Sequence, residues 1–156
     1  MIDRFLDKRN PREWLCLKRT VRFGETDAAG VVHFLELFRW CHETWEESLE
    51  KYGLVLQEIF PTTQSNTSQL DVALPVVHCE ANYYKPLTVG DSINIELYPE
   101  KINDSSFILR FKFKKNGEQV GMTNIKHVSI NSITREKCFL SKSINLWLEE
   151  SILSLY

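Results

Sequence analysis

Between Phe34 and Tyr52 the apolar residues Phe34, Leu37, Phe38, Cys41, Trp45, Leu49 and Tyr52 recur at three- and four-residue steps. That spacing predicts a helix of about five turns with one strongly apolar face. Glu36, Arg39, Glu43, Glu46, Glu47, Glu50 and Lys51 fall mainly on the opposite side. Glu47 and Lys51 form a favourable i,i+4 pair there. Gly53 comes after the last turn and suits the left-handed residue that closes a helix. A helix this apolar on one face has to be covered, so the rest of the chain must supply a large apolar surface.

The C-terminal half is strand-like. Val76 to Tyr84 reads as one strand, with Pro86 and Gly90 marking its exit. Ile93, Ile95 and Leu97 alternate with polar residues, and Phe107, Leu109, Phe111 and Phe113 alternate with Ile108, Arg110 and Lys112. Asn116-Gly117 is a strong hairpin signal. Val120 to Ile130 completes the set, with poor alternation between Asn124 and His127 that predicts a bulge or a switch of face. Before the helix, Trp14 to Phe23 reads as a first strand. Residues 1–13 are expected as an N-terminal arm, 14–140 as one domain, and 141–156 as a helical tail around Ile144, Leu146, Trp147, Ile152 and Leu153. The polar stretch from Pro61 to Gln69 is expected as an exposed loop. Helix and strands segregate along the chain, which predicts an α+β class: an antiparallel sheet wrapped around one long helix, plus a C-terminal helix.

Composition narrows the function. A chain of 156 residues with 43% hydrophobic content can fill the core of one domain. The net charge of −2 offers no field for nucleic acid. No apolar run approaches the ~20 residues of a membrane span, and Met1 to Arg12 lacks the apolar core of a secretory signal. Cys16, Cys41, Cys79 and Cys138 are widely spaced, as in reduced thiols of a cytoplasmic protein. His42 and Glu46 share a helix face, where an ion pair is a better reading than a metal site. No metal and no cofactor are expected.

The candidate chemistry lies in Val21-Arg22-Phe23-Gly24-Glu25-Thr26-Asp27-Ala28-Ala29-Gly30-Val31-Val32-His33-Phe34. Strand-like residues give way to a turn that holds the carboxylate of Asp27, and the helix begins shortly after Gly30. The first turns of a helix present unpaired N–H groups and roughly half a positive charge. A carboxylate beside such a terminus can act as base or nucleophile on a carbonyl whose developing oxyanion the N–H groups stabilise. Asp and Gly before a helix are also ordinary turn and capping residues.

The same residues carry a resemblance. Phe23, Thr26-Asp27, Gly30, Val31-Val32 and His33-Phe34, with Ala73-Leu74-Pro75-Val76-Val77-His78, Tyr83-Tyr84-Lys85-Pro86-Leu87 and Val89-Gly90-Asp91, resemble the hotdog-fold thioesterases of the 4-hydroxybenzoyl-CoA thioesterase branch. The likeness spans roughly residues 14 to 140. With Cys41-His42-Glu43 on the intervening helix, it is greatest to members acting on 1,4-dihydroxy-2-naphthoyl-CoA in phylloquinone synthesis. The resemblance implies a hotdog fold, an acyl-CoA substrate, and a homodimer or tetramer with active sites at the subunit interface. It implies Asp27 as nucleophile or general base, the backbone N–H of Phe34 as oxyanion donor, and Gly30 as the turn into the helix. His33, Phe38, Val77, His78 and Tyr83 are implied as substrate-binding residues, His78 beside the neighbouring subunit's pocket. Lys85, Lys101, Arg110, Lys112, Lys114 and Lys115 are candidates for the CoA phosphates. A thioesterase for another acyl-CoA or an acyl carrier protein, and a non-catalytic acyl-CoA-binding hotdog, remain as alternatives. A hotdog dehydratase would need a His where this chain has Asp27.

Overall fold

In the computed structural model, which describes residues 9–61 and 71–152, the long apolar stripe becomes α2, Glu36–Tyr52. It starts two residues later than its apolar period, because the chain is still turning at Phe34 and Leu35. The Leu35 N–H bonds back to Nδ1 of His33 at 3.3 Å. The helix ends at Gly53, whose φ of 113° lets its N–H reach the Leu49 carbonyl at 3.1 Å. Trp45 and Leu49 are buried, and Glu46 and Glu50 are exposed, as the stripe requires.

The surface that covers the helix is an antiparallel sheet of five strands in the order β1-β4-β5-β6-β3. These are β1 (Cys16–Thr20), β3 (Val76–Tyr83), β4 (Ser92–Asn103), β5 (Ser106–Lys115) and β6 (Glu118–Val128). Ile95 faces Phe113 and Leu97 faces Phe111 across β4 and β5, while Leu109 faces Ile125 across β5 and β6. These residues turn inward onto Leu37, Trp40, Cys41 and Trp45 of α2 in one contiguous core. The C-terminal helix α4, Lys142–Ile152, adds Ile144, Trp147 and Leu148 to that core. Asn116 and Gly117, at φ 51° and 78°, make the two-residue turn between β5 and β6 that the Asn-Gly pair predicts.

The ends of the expected first strand fold differently. Arg12–Leu15 forms a helical turn, α1, and only Cys16–Thr20 pairs with β4. Pro11 supplies a helical φ of −58°, and the turn buries Trp14 and Leu15 while Trp14 Nε1 donates to Ser151 of α4 at 2.9 Å. Arg9 donates to the Tyr52 carbonyl at 2.6 Å and covers the C-terminal end of α2. Past Thr20 the chain tightens into a single 3₁₀ turn at Phe23–Glu25. A short turn α3, Leu56–Ile59, comes after α2, and a two-residue pair, β2 (Val72–Ala73) with β7 (Ile130–Asn131), forms a small second sheet. The polar loop, beyond Pro61, lies outside the described residues.

Strand β6 does not switch face between Asn124 and His127. The irregularity is in its neighbour: the register of β3 shifts between Val76 and His78, opposite Lys126 and His127. The weak alternation arises because two inward positions are polar. Thr123 meets the Cys41 sulfur at 2.8 Å. His127 is 1% exposed, stacks on Phe107 at 5.2 Å, and bonds through Nδ1 to the Leu74 carbonyl at 2.9 Å. Burial pushes its pKa down to about 4, so the ring is neutral in the core.

The loop bearing Asp27 is fastened to this frame by Glu25, a buried carboxylate. Its Oε1 accepts Arg19 Nη2 from β1 at 2.5 Å, Arg39 Nη2 from α2 at 2.9 Å and Trp40 Nε1 at 3.0 Å. Its Oε2 accepts the Arg22 N–H at 2.7 Å, and its backbone carbonyl accepts the His33 N–H at 2.8 Å. Burial alone would raise the Glu25 pKa. The Arg22 N–H, the Arg19 guanidinium and the Trp40 indole outweigh it and hold the carboxyl below its ordinary value. A depressed carboxylate pKa stabilises the fold fully above the unfolded value, about 4.3, and that stability is lost as pH falls through the lower folded value. Glu25→Gln should therefore cost about 2 kcal/mol at pH 7, with the gap to wild type closing on acidification. Urea unfolding from pH 7 to pH 3 measures it; a gap independent of pH would contradict the role of the charge.

Candidate functional site

The segment after Glu25 is a closed backbone turn. Thr26 bridges to Val32. The Asp27 N–H donates to the Val31 carbonyl at 2.8 Å and the Gly30 N–H to the Asp27 carbonyl at 3.0 Å. Gly30 takes φ 76°, a left-handed conformation that side chains resist. The Ala29 N–H bonds Asp27 Oδ1 at 2.8 Å, which orients the carboxylate and leaves Asp27 exposed. Beyond the turn, the Val32 N–H reaches the Leu87 carbonyl at 2.8 Å and ties the loop to the chain leaving β3.

Asp27 opens onto a groove of about 370 Å³. Phe34, Leu37, Tyr83, Phe113 and Gly121 line it together with Asp27, so two faces of the fold converge there: the entry to α2 and the inner face of β3, β5 and β6. The Tyr83 hydroxyl donates to the Phe34 carbonyl and fixes the backbone at the mouth of the helix. Burial, then the neighbouring Cys41 sulfur, push the Tyr83 phenol up, so it remains a donor at neutral pH. Among the described residues the Phe34 N–H has no hydrogen-bond partner. Asp27, Phe34 with its unpaired N–H, and an apolar wall thus border one cavity.

The structure brings Asp27, Phe34 and Tyr83 together, with Gly30 shaping the turn. His33 lies beside them, its ring 4.5 Å from that of Phe34, with Nδ1 occupied by the Leu35 N–H. Phe38 packs half-buried against the core and does not line the groove. Val77 and His78 are exposed at the opposite end of β3 from Tyr83, with His78 Nε2 3.8 Å from Glu80. Leu37, Phe113 and Gly121 also line the groove, although the sequence motifs do not single them out. Gly121 has a visible signal, a glycine inside a strand pattern. A Cβ there would lie 3.3 Å from the Asn82 carbonyl oxygen and 3.4 Å from Leu37 Cδ2, so the bare backbone keeps the groove open. A larger hollow of about 510 Å³ lies between α1 and β4. Its Glu96 is already bonded to Tyr98 and Lys114, and no expected catalytic or acyl-binding residue lines it.

The comparisons with known proteins agree with this geometry. The model of the thioesterase-like superfamily matches residues 21–148. A 1,4-dihydroxy-2-naphthoyl-CoA hydrolase of Prochlorococcus marinus strain NATL2A is 85% identical over 151 residues, 97% of each chain. The protein of that name in strain MIT 9211 is 55% identical over 142 residues, 91% of this chain and 94% of its own. Among solved structures, Slr0204, a 1,4-dihydroxy-2-naphthoyl-CoA thioesterase from Synechocystis, superposes with a TM-score of 0.77 at 26% identity, covering 86% of this chain and 94% of its own. A crystal structure from Prochlorococcus marinus strain MIT 9313 reaches 0.88 at 48% identity, covering 92% and 99%. With a sheet wrapped on one helix, a carboxylate turn at the helix mouth and a family match across both, the chain belongs to the thioesterase-like superfamily.

Proposed function

We propose that the protein hydrolyses 1,4-dihydroxy-2-naphthoyl-CoA, releasing the naphthoate of a quinone pathway and free CoA. The observation that supports this most is the shared groove of Asp27 and Phe34, in a chain 85% identical to a hydrolase of that name. The thioester carbonyl oxygen takes the unpaired Phe34 N–H. Asp27 acts on the carbonyl carbon, either directly, giving a mixed anhydride that water opens, or by drawing a proton from an attacking water. Thiolate is a good leaving group, so both routes proceed without a metal. Leu37, Tyr83 and Phe113 give the bicyclic acyl group an apolar slot.

The groove is completed by a second subunit in this reading. Strand β3 is an edge strand, eight residues long and exposed at seven of them. An uncovered edge of that length invites another strand. Antiparallel pairing of β3 with β3 of a second copy sets the Val76 end of one against the Tyr83 end of the other. Val77 of the partner subunit and His78 of the partner subunit then come to the open side of the Asp27 groove, which accounts for their place among the expected substrate-binding residues. A cytoplasmic location belongs to the same reading, and among the described residues no helix is long and apolar enough to cross a membrane.

Asp27→Asn keeps the turn, since Asn accepts the Ala29 N–H equally well, but removes the charge. Its turnover of 1,4-dihydroxy-2-naphthoyl-CoA should fall by about 100-fold or more with an unchanged melting temperature. Wild-type enzyme should in turn favour this substrate strongly over acetyl- and palmitoyl-CoA. Wild-type rates in Asp27→Asn would remove the catalytic reading, and equal turnover of the aliphatic thioesters would move the substrate assignment to another acyl-CoA. Sedimentation equilibrium should show a dimer or tetramer; a monomer fully active at nanomolar concentration would contradict the shared site.

A further inference from the structure

The groove at Asp27 continues past the acyl slot. Lys85, Pro86 and Val120 line it and also line a second hollow of about 300 Å³, completed by Lys115, Asn116 and Glu118 at the tip of the β5–β6 hairpin. From Gly121 in the groove to Glu118 in the hollow, β6 runs about 10 Å at roughly 3.3 Å per residue, and the hollow extends beyond to Asn116. A CoA thioester has this shape: a reacting carbonyl, a long thin arm, then a charged nucleotide.

The other basic candidates are directed elsewhere. Arg110 is bonded to Glu100, Lys112 lies 4.8 Å over the Tyr98 ring, and Lys114 is bonded to Glu96, all on strand positions that alternate with the buried residues of β5. Lys101 is bonded to Asn145 of α4 at 2.7 Å. Lys85 and Lys115 remain, and each has a carboxylate beside it. Lys115 Nζ is 2.7 Å from Asp91 Oδ1, and Asp91 is itself held by the Thr88 N–H at 2.9 Å, so this pair places the ammonium firmly. Lys85 Nζ is 2.5 Å from Glu118 Oε1, and both side chains are more than half exposed. An exposed pair of that kind is screened by water and holds only weakly. A phosphate, with more charge and more acceptor oxygens, competes well for the same ammonium.

We propose that the phosphates of the CoA nucleotide occupy the hairpin hollow, held by Lys85 and Lys115, with Glu118 the carboxylate that phosphate displaces from Lys85. This rests on the reading of the Asp27 groove as the thioester site. It assigns Glu118 a role in tuning affinity: the carboxylate keeps Lys85 aimed at the hollow in the free enzyme and competes with substrate for it.

The test compares one acyl group on two carriers, CoA and phosphate-free pantetheine, by kcat/KM in wild type, Lys85→Gln/Lys115→Gln and Glu118→Gln. The ratio of CoA to pantetheine thioester should fall roughly 10-fold in the double lysine variant, through KM for the CoA substrate, and should rise in Glu118→Gln. The wild-type ratio should shrink with added salt and the double variant's should not. A ratio unmoved by the lysine substitutions, in enzyme that still hydrolyses both thioesters, overturns the subsite and leaves the thioesterase reading standing. Wild-type enzyme that hydrolyses neither removes both.

Discussion

Glu25 joins three elements of the chain: β1 through Arg19, α2 through Arg39 and Trp40, and the turn around Asp27 through the Arg22 and His33 N–H groups. The carboxylate is 4% exposed, and taking it out of water is unfavourable unless its oxygens are satisfied. Both are. The Arg19 guanidinium lies in turn 4.9 Å over the Trp40 ring and also binds Glu43, so the cluster extends one turn further along α2. Removing Glu25 from such a group leaves Arg19 and the Trp40 N–H without their carboxylate partner. The position of Asp27 relative to the helix mouth therefore depends on a neighbour two residues away that never touches the groove.

The remaining contacts of the site divide in the same way between frame and surface. Leu37 and Phe113 are core residues whose edges line the groove, so that wall is as rigid as the core itself. Tyr83 and Gly121 lie on adjacent, directly paired strands. One fixes the Phe34 carbonyl and the other leaves space. The outer strand β3, by contrast, has no neighbour on its far edge among the described residues, and Val76, Val77, Tyr83 and Tyr84 are all at least 41% exposed.

Much of the fold was legible because it is written in local periods. The 3.6-residue stripe of α2, the alternation of Phe107 to Phe113 and the Asn116-Gly117 turn each need only near neighbours to be read. Asp27, Gly30 and Phe34 were legible as a turn running into a helix. Glu25 was not, because a glutamate in a loop looks solvated until Arg19, Arg39 and Trp40 are brought around it from elsewhere in the chain. The helical turn at Arg12–Leu15 was hidden by apolar residues that suit a strand equally well, and the tertiary contact of Trp14 with Ser151 decides the matter. His127 disturbed the strand pattern of β6 for a related reason: it is a polar residue on an inward position, held through Nδ1 by the Leu74 carbonyl.

On this reading the Phe34 N–H and the Asp27 carboxylate act on one carbonyl, and every other assignment at the site depends on that. A crystal structure of Asp27→Asn with uncleaved 1,4-dihydroxy-2-naphthoyl-CoA measures it directly. The thioester oxygen should lie about 2.7–3.1 Å from the Phe34 nitrogen, with the substituted carboxamide at position 27 facing the carbonyl carbon. A thioester bound away from that N–H, or carried in a different hollow, would contradict the shared action of the two groups.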